Sequence, residues 1–313
     1  MLYDGVKIYP SRESLFQNDK KQSGTHTVAA LILHTGDDRF LFREISVIKE
    51  NRIADSIFVI IPSNRHFDEK WTNEYGYINW AVFQKEYDRV NMSVMIAKET
   101  TEEFIMLLDS SYNITGFDRS AILGIFDSDE HTACISPYVY SNVDVVFPTC
   151  YAPKIDDGVR ADIISVIPEY PIQNTLYPFM LLGVYKRTIF RLNIQVDEKI
   201  KDVDCRAYDF FARLWLMGYR TYLSSFFALK CNREFIPIID RSYSQSVRRL
   251  SSKLLSFYKN KGGKAGLKAF WWANHSVICV VKDVRPFLKN ALMDFWTLVK
   301  MWTVEPGELN DIF

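Results

Sequence analysis

The sequence predicts an α/β protein whose sheet is mainly parallel and flanked by helices. Apolar, strand-like runs alternate with helix-like segments between residues 27 and 108. The last of these runs, Phe104–Leu108, is unbroken, which is typical of a strand covered on both faces. An acid, Asp109, follows it directly. We therefore expect Asp109 at the carboxyl end of a strand, where open α/β sheets bind their ligands.

The bulk composition allows one large domain with an appendage. The chain has 313 residues, is 48% hydrophobic and carries no formal net charge, so its total charge does not indicate a polyanionic partner. The five cysteines are scattered and include no Cys-x-x-Cys pair, which favours buried thiols in a reducing compartment. The first segment is too polar for a signal peptide, and no apolar run reaches the roughly 18 residues of a membrane-spanning helix. These features predict a cytoplasmic protein.

The first elements form a βαβ unit. Residues 6–9 predict a short edge strand, and Thr27–Leu33 predicts the first long strand. A helix with an apolar side follows, for which Asp37 or Asp38 is the expected N-cap. Ser56–Ile61 predicts the next strand. A strand, a helix and a parallel strand in this order should cross over with the right-handed sense.

The second unit leads to the acid at residue 109. Ile78–Phe83 predicts a third strand, and Asp88 is the expected N-cap of the helix after it. In that helix Val90, Val94 and Ala97 are spaced i, i+4 and i+7, which predicts that they share one helix face.

A literal Asp-x-Asp motif occurs later in the chain. Asp118 is expected to cap a short helix, Arg119–Phe126, and Asp127 and Asp129 follow it. Because the motif lies after a helix and just before the next strand, Ala133–Ile135, we interpret it as a solvated acidic loop and rank it below Asp109 as a ligand site.

The last predicted elements are a strand and a capped helix. Val143–Thr149 predicts a strand. Asp209 is the expected N-cap of a helix that stops at Gly218. The residues expected on the buried side of this helix are Phe210, Phe211, Leu214 and Trp215.

Two of these segments resemble the family-2-like glycosyltransferases, which have the GT-A fold. The family pattern is roughly Asn-x-Gly-x-x-x-Ala, a short gap, Glu-Tyr/Phe, four apolar residues and Asp-x-Asp. Its slots are filled here by Asn91, Ser93, Ala97, Glu103, Phe104 and Asp109. Ser111 stands where the second acid belongs, and a hydroxyl is a weaker cation ligand than a carboxylate. The segment 209–220 matches the family's Asp-Leu-x-x-Arg-Leu-x-x-x-Gly-Tyr-Arg without gaps.

The resemblance implies a GT-A domain over residues 1–239 that binds a nucleotide-sugar donor, such as a UDP-sugar. It implies a divalent cation, Mn²⁺ or Mg²⁺, held against the donor diphosphate by Asp109. Donor contacts are implied for Thr35, Asp37, Asn64, Asn91, Asp109 and Ser111.

The resemblance also implies a general base, because the acceptor hydroxyl must lose a proton as it attacks the anomeric carbon. In inverting members the base lies about two residues before the slot of Asp209, but Ala207 stands there. Asp204 and Asp209 are the remaining candidates. We favour Asp204, because Asp209 is expected to cap a helix, and we expect inversion of configuration.

Residues 240–313 form a basic, aromatic segment that predicts a helical C-terminal extension. The extension is expected to pack on the GT-A domain or on a second copy, giving a homodimer, with its charges solvated. A peripheral contact with the inner face of a membrane and a phosphate track for nucleic acid are the alternatives.

The function indicated by these residues is sugar transfer from a nucleotide diphosphate sugar to an acceptor hydroxyl, with a saccharide or a lipid-linked saccharide as the favoured acceptor. Two other functions stay open. One is a glycosyltransferase that acts on hydroxylated bases in DNA. The other is a non-catalytic GT-A scaffold, which Ser111 and Ala207 favour because they replace the second acid and the expected base.

Overall fold

The computed structural model describes residues 5–16, 26–156, 160–192 and 202–232. The predicted extension 240–313 lies outside the described residues, and so do the dimer, membrane and nucleic-acid contacts assigned to it.

The described residues contain twelve strands and five helices. The strands are β1 (Val6–Tyr9), β2 (Val28–Leu33), β3 (Ser56–Ile61), β4 (Ile78–Phe83), β5 (Phe104–Asp109), β6 (Tyr112–Phe117), β7 (Thr132–Tyr140), β8 (Cys150–Asp156), β9 (Arg160–Val166), β10 (Ile172–Asn174), β11 (Gly183–Lys186) and β12 (Arg220–Cys231). The helices are α1 (Asp38–Glu50), α2 (Trp71–Glu74), α3 (Arg89–Glu99), α4 (Arg119–Ser128) and α5 (Val203–Leu216). Short 3₁₀ turns occur at Phe179–Leu181 and Arg187–Arg191.

Ten of these strands form one mixed sheet. Its order is β1-β4-β3-β2-β5-β11-β7-β12-β10, with β6 paired to β12. β2 to β5 are mutually parallel, whereas β11 is antiparallel to both β5 and β7. β5 and β7 therefore run in the same direction. We call the edge where β2 to β5 end the carboxyl edge, and the opposite edge the amino edge. β8 and β9 form a separate antiparallel hairpin.

Both faces of the sheet are covered, as the unbroken apolar run of β5 predicts. β2 shows the arrangement, because Ala30 and Ile32 belong to one hydrophobic cluster while Leu31 and Leu33 belong to the other. α1 and α4 complete the first cluster, and α3 and α5 complete the second. Burial on two sides explains why alternation of polar and apolar residues is absent from these strands.

The predicted start of α3 is confirmed, but of the three residues predicted to share one face only Ala97 is buried. Asp88 caps the helix by accepting a hydrogen bond from the Asn91 main-chain N–H at 2.9 Å. Val90 and Val94 are only half-buried. The buried residues are Met92, Ser93, Ile96 and Ala97. Apolar residues occur around most of this helix, so the spacing fitted more than one face and the sheet selected another one.

The predicted N-cap of α5 is also wrong. The helix begins two turns earlier, with Asp202 as the N-cap that accepts from the Cys205 main-chain N–H at 2.9 Å. Asp209 lies in the helix interior, where its carboxylate is 1% exposed and 3.2 Å from Arg213 Nε. An acid is tolerated there because a cation one turn later compensates its charge. Gly218, with φ of 89°, follows the helix end as predicted.

The strand predicted at Val143–Thr149 is wrong as well. This segment is a loop with an isolated bridge between Tyr140 and Val146, and Val143 is 72% exposed. The short strand predicted at Ala133–Ile135 is instead part of the longer strand β7, Thr132–Tyr140.

Candidate functional site

The carboxyl edge brings two turns together. β2 and β5 are adjacent parallel strands, and Leu33 pairs with Asp109 at their last positions. Residues 34–37 follow β2 and residues 110–111 follow β5. The parallel pairing thus places the predicted donor residues of the two turns side by side.

Asp109 lies at the centre of this edge, and only 3% of its side chain is exposed. Its Oδ1 atom accepts hydrogen bonds from the Ser111 main-chain N–H, at 2.8 Å, and from the Thr35 hydroxyl. Its Oδ2 atom accepts from Arg89 Nη2 at 2.6 Å. The hydroxyl oxygens of Thr35 and Ser111 are 2.9 Å apart. Both carboxylate oxygens are therefore held, and the buried charge of Asp109 is compensated by a guanidinium.

The Ser110 hydroxyl sets the separation of the two turns. It accepts from the main-chain N–H groups of Thr35, at 3.1 Å, and of Gly36, at 2.8 Å. A Cβ atom on Gly36 would lie 2.8 Å from the Ser110 carbonyl oxygen, which is closer than real Cβ contacts. Glycine is therefore required for the close approach of the turns.

The buried side chain of His34 contacts both turns. Its Nε2 atom lies 2.9 Å from Asp38 Oδ1, and its Nδ1 atom lies 3.3 Å from the Ser110 hydroxyl. Burial lowers the pKa of His34 from its ordinary value of 6.5, and this outweighs the opposite effect of Asp38. The ring is therefore neutral at pH 7 and positions the turn without adding charge to the site.

Arg89 lies at this edge and was not among the predicted site residues. It is the first residue of α3, its side chain is 19% exposed, and its Nη1 atom donates to the Met180 carbonyl at 3.2 Å. One signal was present in the sequence, because a cation at the start of a helix opposes the helix dipole. An arginine placed directly after the cap Asp88 therefore indicates an anionic partner, which the structure identifies as Asp109.

Arg65 is a second missed arginine. It lies in the turn after β3, and its guanidinium donates to the Thr35 carbonyl. Asn64, predicted to contact the donor, is its exposed neighbour in the same turn. Arg65 therefore contacts the turn that holds Thr35, while Arg89 contacts Asp109, whose carboxylate also accepts from the Thr35 hydroxyl.

Asp204 lies at the same edge of the sheet. β12 is parallel to β7, so it starts at the amino edge. α5 precedes β12 and runs back across the sheet, so α5 starts at the carboxyl edge. Arg206 donates to Asp88 Oδ2 at 2.9 Å and so links the first turn of α5 to the start of α3. Asp204 Oδ1 lies 3.5 Å from the hydroxyl of Tyr177. Burial raises the pKa of Tyr177 well above 10, so its hydroxyl keeps its proton beside Asp204.

Other predicted donor residues have structural partners. Asp37 accepts a hydrogen bond from the Arg39 main-chain N–H at 2.9 Å, and its exposed carboxylate pairs with the Arg39 guanidinium. The Asn91 amide donates to Asp88 Oδ2 at 2.7 Å. Each therefore completes the cap of a helix that starts at the carboxyl edge, while Thr35, Asp109 and Ser111 form the centre.

The literal Asp-x-Asp motif lies at the opposite edge of the sheet. β7 starts at Thr132 and runs in the direction of β5, so the residues before it lie at the amino edge. Asp127 is 59% exposed and pairs with His26 at 2.9 Å. Asp129 caps the end of α4 and accepts from Tyr222 at 3.0 Å. Asp127 and Asp129 have the spacing of the family motif, but they lie at the opposite ends of the strands from the predicted donor site.

The residues around Asp109 do not fit a divalent cation. Mg²⁺ and Mn²⁺ prefer several oxygen ligands, commonly including carboxylates. Among the residues that the structure describes, no group of three or more His, Cys, Asp and Glu side chains could hold a metal ion. Asp109 supplies one carboxylate, Ser111 supplies a hydroxyl in place of the second, and the cation of Arg89 already contacts Asp109 Oδ2. The Mn²⁺ or Mg²⁺ site stays a prediction that this donor set does not support.

Comparison with known proteins identifies the fold. No protein-family model matches the sequence. No curated protein matches it either. A solved structure titled GalNAc-T7 with UDP, GalNAc and Mn²⁺ is similar to this chain, with a TM-score of 0.50 and 13% identity. The similarity covers 71% of this chain and 47% of that one, so this chain spans less than half the length of its neighbour. The neighbour is a GT-A glycosyltransferase, so the predicted GT-A fold is confirmed, while membership of family 2 stays a prediction.

In the part of the chain that the structure describes, no helix has the length and apolar character needed to cross a bilayer.

Proposed function

We propose that this chain transfers a sugar from a nucleotide diphosphate sugar to an acceptor hydroxyl. One observation carries the proposal. At the carboxyl edge of a GT-A sheet, Asp109 is 3% exposed and is held by Thr35, Ser111 and Arg89, which come from three separate segments. A buried, charge-compensated carboxylate is costly to maintain, and this one lies where open α/β sheets bind their ligands.

The donor lies with its diphosphate at this edge, and Asp109 anchors the positive charge that the diphosphate requires. The hydroxyls of Thr35 and Ser111, 2.9 Å apart, offer hydrogen bonds to the phosphate oxygens. The exposed turns after β2 and β3, with Asp37 and Asn64, are the proposed contacts of the base and ribose.

Asp204 is the proposed general base. The acceptor oxygen forms a bond to the anomeric carbon, the bond from that carbon to the β-phosphate oxygen breaks, and the acceptor proton passes to Asp204. The nucleoside diphosphate leaves, and the sugar is transferred with inversion. Asp209 is not proposed for this role, because its carboxylate is 1% exposed and paired with Arg213.

The first test is the thermal shift of the protein with UDP, GDP, dTDP and CMP, each measured with and without Mn²⁺. Stabilisation by one nucleoside diphosphate, weakened in Asp109→Asn, supports the donor site. Asp127→Asn is the matched control, since it removes an exposed acid from the Asp-x-Asp motif at the amino edge. An equal loss in both variants, or no shift with any nucleotide, contradicts the proposal.

The second test separates binding from chemistry. Asp204→Asn should bind the diphosphate as the wild type does and lose transfer, which is followed as release of nucleoside diphosphate from the donor. Unchanged turnover in Asp204→Asn rules out Asp204 as the base.

A non-catalytic GT-A scaffold is the second candidate, favoured by Ser111 and Ala207 in place of two acids. Diphosphate binding without turnover on any acceptor would support it. A saccharide or lipid-linked acceptor is the favoured substrate. A DNA acceptor would be indicated by transfer that collapses with modest added salt, since phosphate contacts are strongly salt-dependent.

A further inference from the structure

The cation that contacts Asp109 is an arginine of this chain. Arg89 Nη2 lies 2.6 Å from Asp109 Oδ2, and the two side chains are 19% and 3% exposed. A second bond, from Nη1 to the Met180 carbonyl at 3.2 Å, fixes the guanidinium between β5 and the segment before β11. Two hydrogen bonds to separate segments leave this group little freedom, so it is pre-organised at the edge.

The same contact opposes a metal ion. A divalent cation on Asp109 would share its carboxylate with a guanidinium that is already 2.6 Å from Oδ2, and like charges in a partly buried site repel strongly. Oδ1 is engaged as well, by the Ser111 main-chain N–H and the Thr35 hydroxyl. A metal ion would have to displace a hydrogen bond on Oδ1 or share Oδ2 with the Arg89 guanidinium.

We propose that this chain binds the donor diphosphate without a divalent cation, with Arg89 in the position of the metal and Asp109 as the residue that orients it. The inference rests on the proposed function. A guanidinium is planar and carries five N–H donors, so it can bond a carboxylate and a phosphate oxygen together. It keeps its charge at every accessible pH.

Arg65 supplies the second positive charge. Its exposed side chain reaches the Thr35 carbonyl from the turn after β3, on the other side of β2 from β5. The diphosphate of a nucleotide sugar carries two negative charges, which Arg65 and Arg89 would meet from the two sides of this turn. The role of Asp109 then changes from metal ligand to positioning residue for Arg89.

The experiment is isothermal titration of the full chain with UDP, GDP and dTDP, in EDTA and in Mn²⁺. For the wild type, we expect the Kd of the bound diphosphate to agree within roughly twofold between the two buffers. Arg89→Ala should weaken binding in EDTA by roughly tenfold to a hundredfold, the range for a hydrogen bond to a charged group. Lys98→Ala, which removes an exposed cation from the other end of α3, should bind as the wild type does.

The effect of Mn²⁺ on diphosphate affinity should differ between the wild type and Arg89→Ala, and a merely structural role of Arg89 would not produce this difference. In Arg89→Ala the Asp109 carboxylate loses its guanidinium, so Mn²⁺ should restore part of the affinity. In the double variant Arg89→Ala/Asp109→Asn, Mn²⁺ should restore nothing. Thermal unfolding of each variant identifies a loss of binding caused by loss of the fold.

The outcomes separate this inference from the proposed function. Wild-type binding that requires Mn²⁺ overturns the inference and leaves the donor site intact. Unchanged affinity of a folded Arg89→Ala variant in EDTA also overturns it. Binding of no diphosphate in either buffer refutes the donor site and this inference together. The comparison of the two buffers on the wild type decides the point even if Arg89→Ala fails to fold.

Discussion

The buried acid Glu44 predicts a measurable loss of stability as the pH rises. It lies on α1, is 2% exposed, and its Oε2 atom accepts from the Ile114 main-chain N–H of β6 at 2.8 Å. Burial raises the pKa of Glu44 from 4.5 to about 7, against the smaller opposing effects of this hydrogen bond and of Arg43. Replacement by glutamine keeps the shape and an acceptor for the N–H group while removing the titration.

The sign follows from proton binding. Between pH 4.5 and about 7 the unfolded chain ionises Glu44 while the folded protein keeps the proton, so rising pH favours the unfolded state. Below this window the residue is protonated in both states, and above it the loss is complete. Each pKa unit corresponds to about 1.4 kcal/mol, and the pKa of Glu44 rises from 4.5 to about 7 on folding. The free energy of unfolding of the wild type should therefore fall by about 3 kcal/mol relative to Glu44→Gln across this window.

The assay is urea unfolding followed by circular dichroism at half-unit intervals from pH 4.5 to 8, for the wild type and for Glu44→Gln. Glu50→Gln, an exposed acid on the same helix, is the control and should follow the wild type. The free-energy difference between Glu44→Gln and the wild type should grow with pH up to about 7 and then level off. A difference that stays constant within about 0.5 kcal/mol would refute the reasoning, because it would mean that Glu44 titrates alike in both states.

Three further predictions concern the site and its support. Asp209→Ala should destabilise the protein by about 3 to 5 kcal/mol in urea unfolding, because it leaves the buried Arg213 without this carboxylate. Gly36→Ala should weaken diphosphate binding in titration calorimetry, and should cost about 1 to 3 kcal/mol of stability, because its Cβ would lie 2.8 Å from a backbone oxygen. Tyr177→Phe should lower turnover and leave the diphosphate Kd unchanged, because it removes the hydroxyl 3.5 Å from Asp204 and keeps the buried ring.

Each of these predictions has a contradicting outcome. A stable Asp209→Ala variant that binds the donor but has lost turnover would assign the base to Asp209. Unchanged affinity and stability in Gly36→Ala would show that the two turns can separate without cost. A Tyr177→Phe variant with weaker diphosphate binding and normal turnover would place this hydroxyl at the donor.

The sequence predicted the strands of the first half closely, and the reason is local. The apolar runs of β2, β3, β4 and β5 and the caps Asp37, Asp88 and Asp118 are contiguous signals that need no knowledge of distant residues. The convergence of Thr35 with Asp109 was expected only from the resemblance, and it follows in the structure from the parallel pairing of β2 with β5.

The errors share a different cause. The start of α5 was misplaced because Asp202 and Asp209 are equally good caps by residue type, and only the partner Arg213 makes an acid acceptable inside the helix. The spacing of Val90, Val94 and Ala97 did not identify the buried face of α3, because several faces are apolar and the sheet selects one. The apolar residues around Val143 resembled a strand because the sequence pattern does not show which apolar side chains are exposed to solvent.

The sequence by itself determined the α/β class, the positions of the main strands along the chain and the place of Asp109 at a strand end, since each depends on neighbours along the chain. Tertiary structure alone decided what surrounds Asp109. Arg89 precedes it by a helix and a strand and contacts its carboxylate, while Arg65 comes from a different unit and contacts the carbonyl of the neighbouring Thr35. A pairing of charges depends on separation in space, which the sequence specifies only through the complete fold. For the same reason the resemblance implied a metal ion at Asp109 without showing that this carboxylate pairs with Arg89.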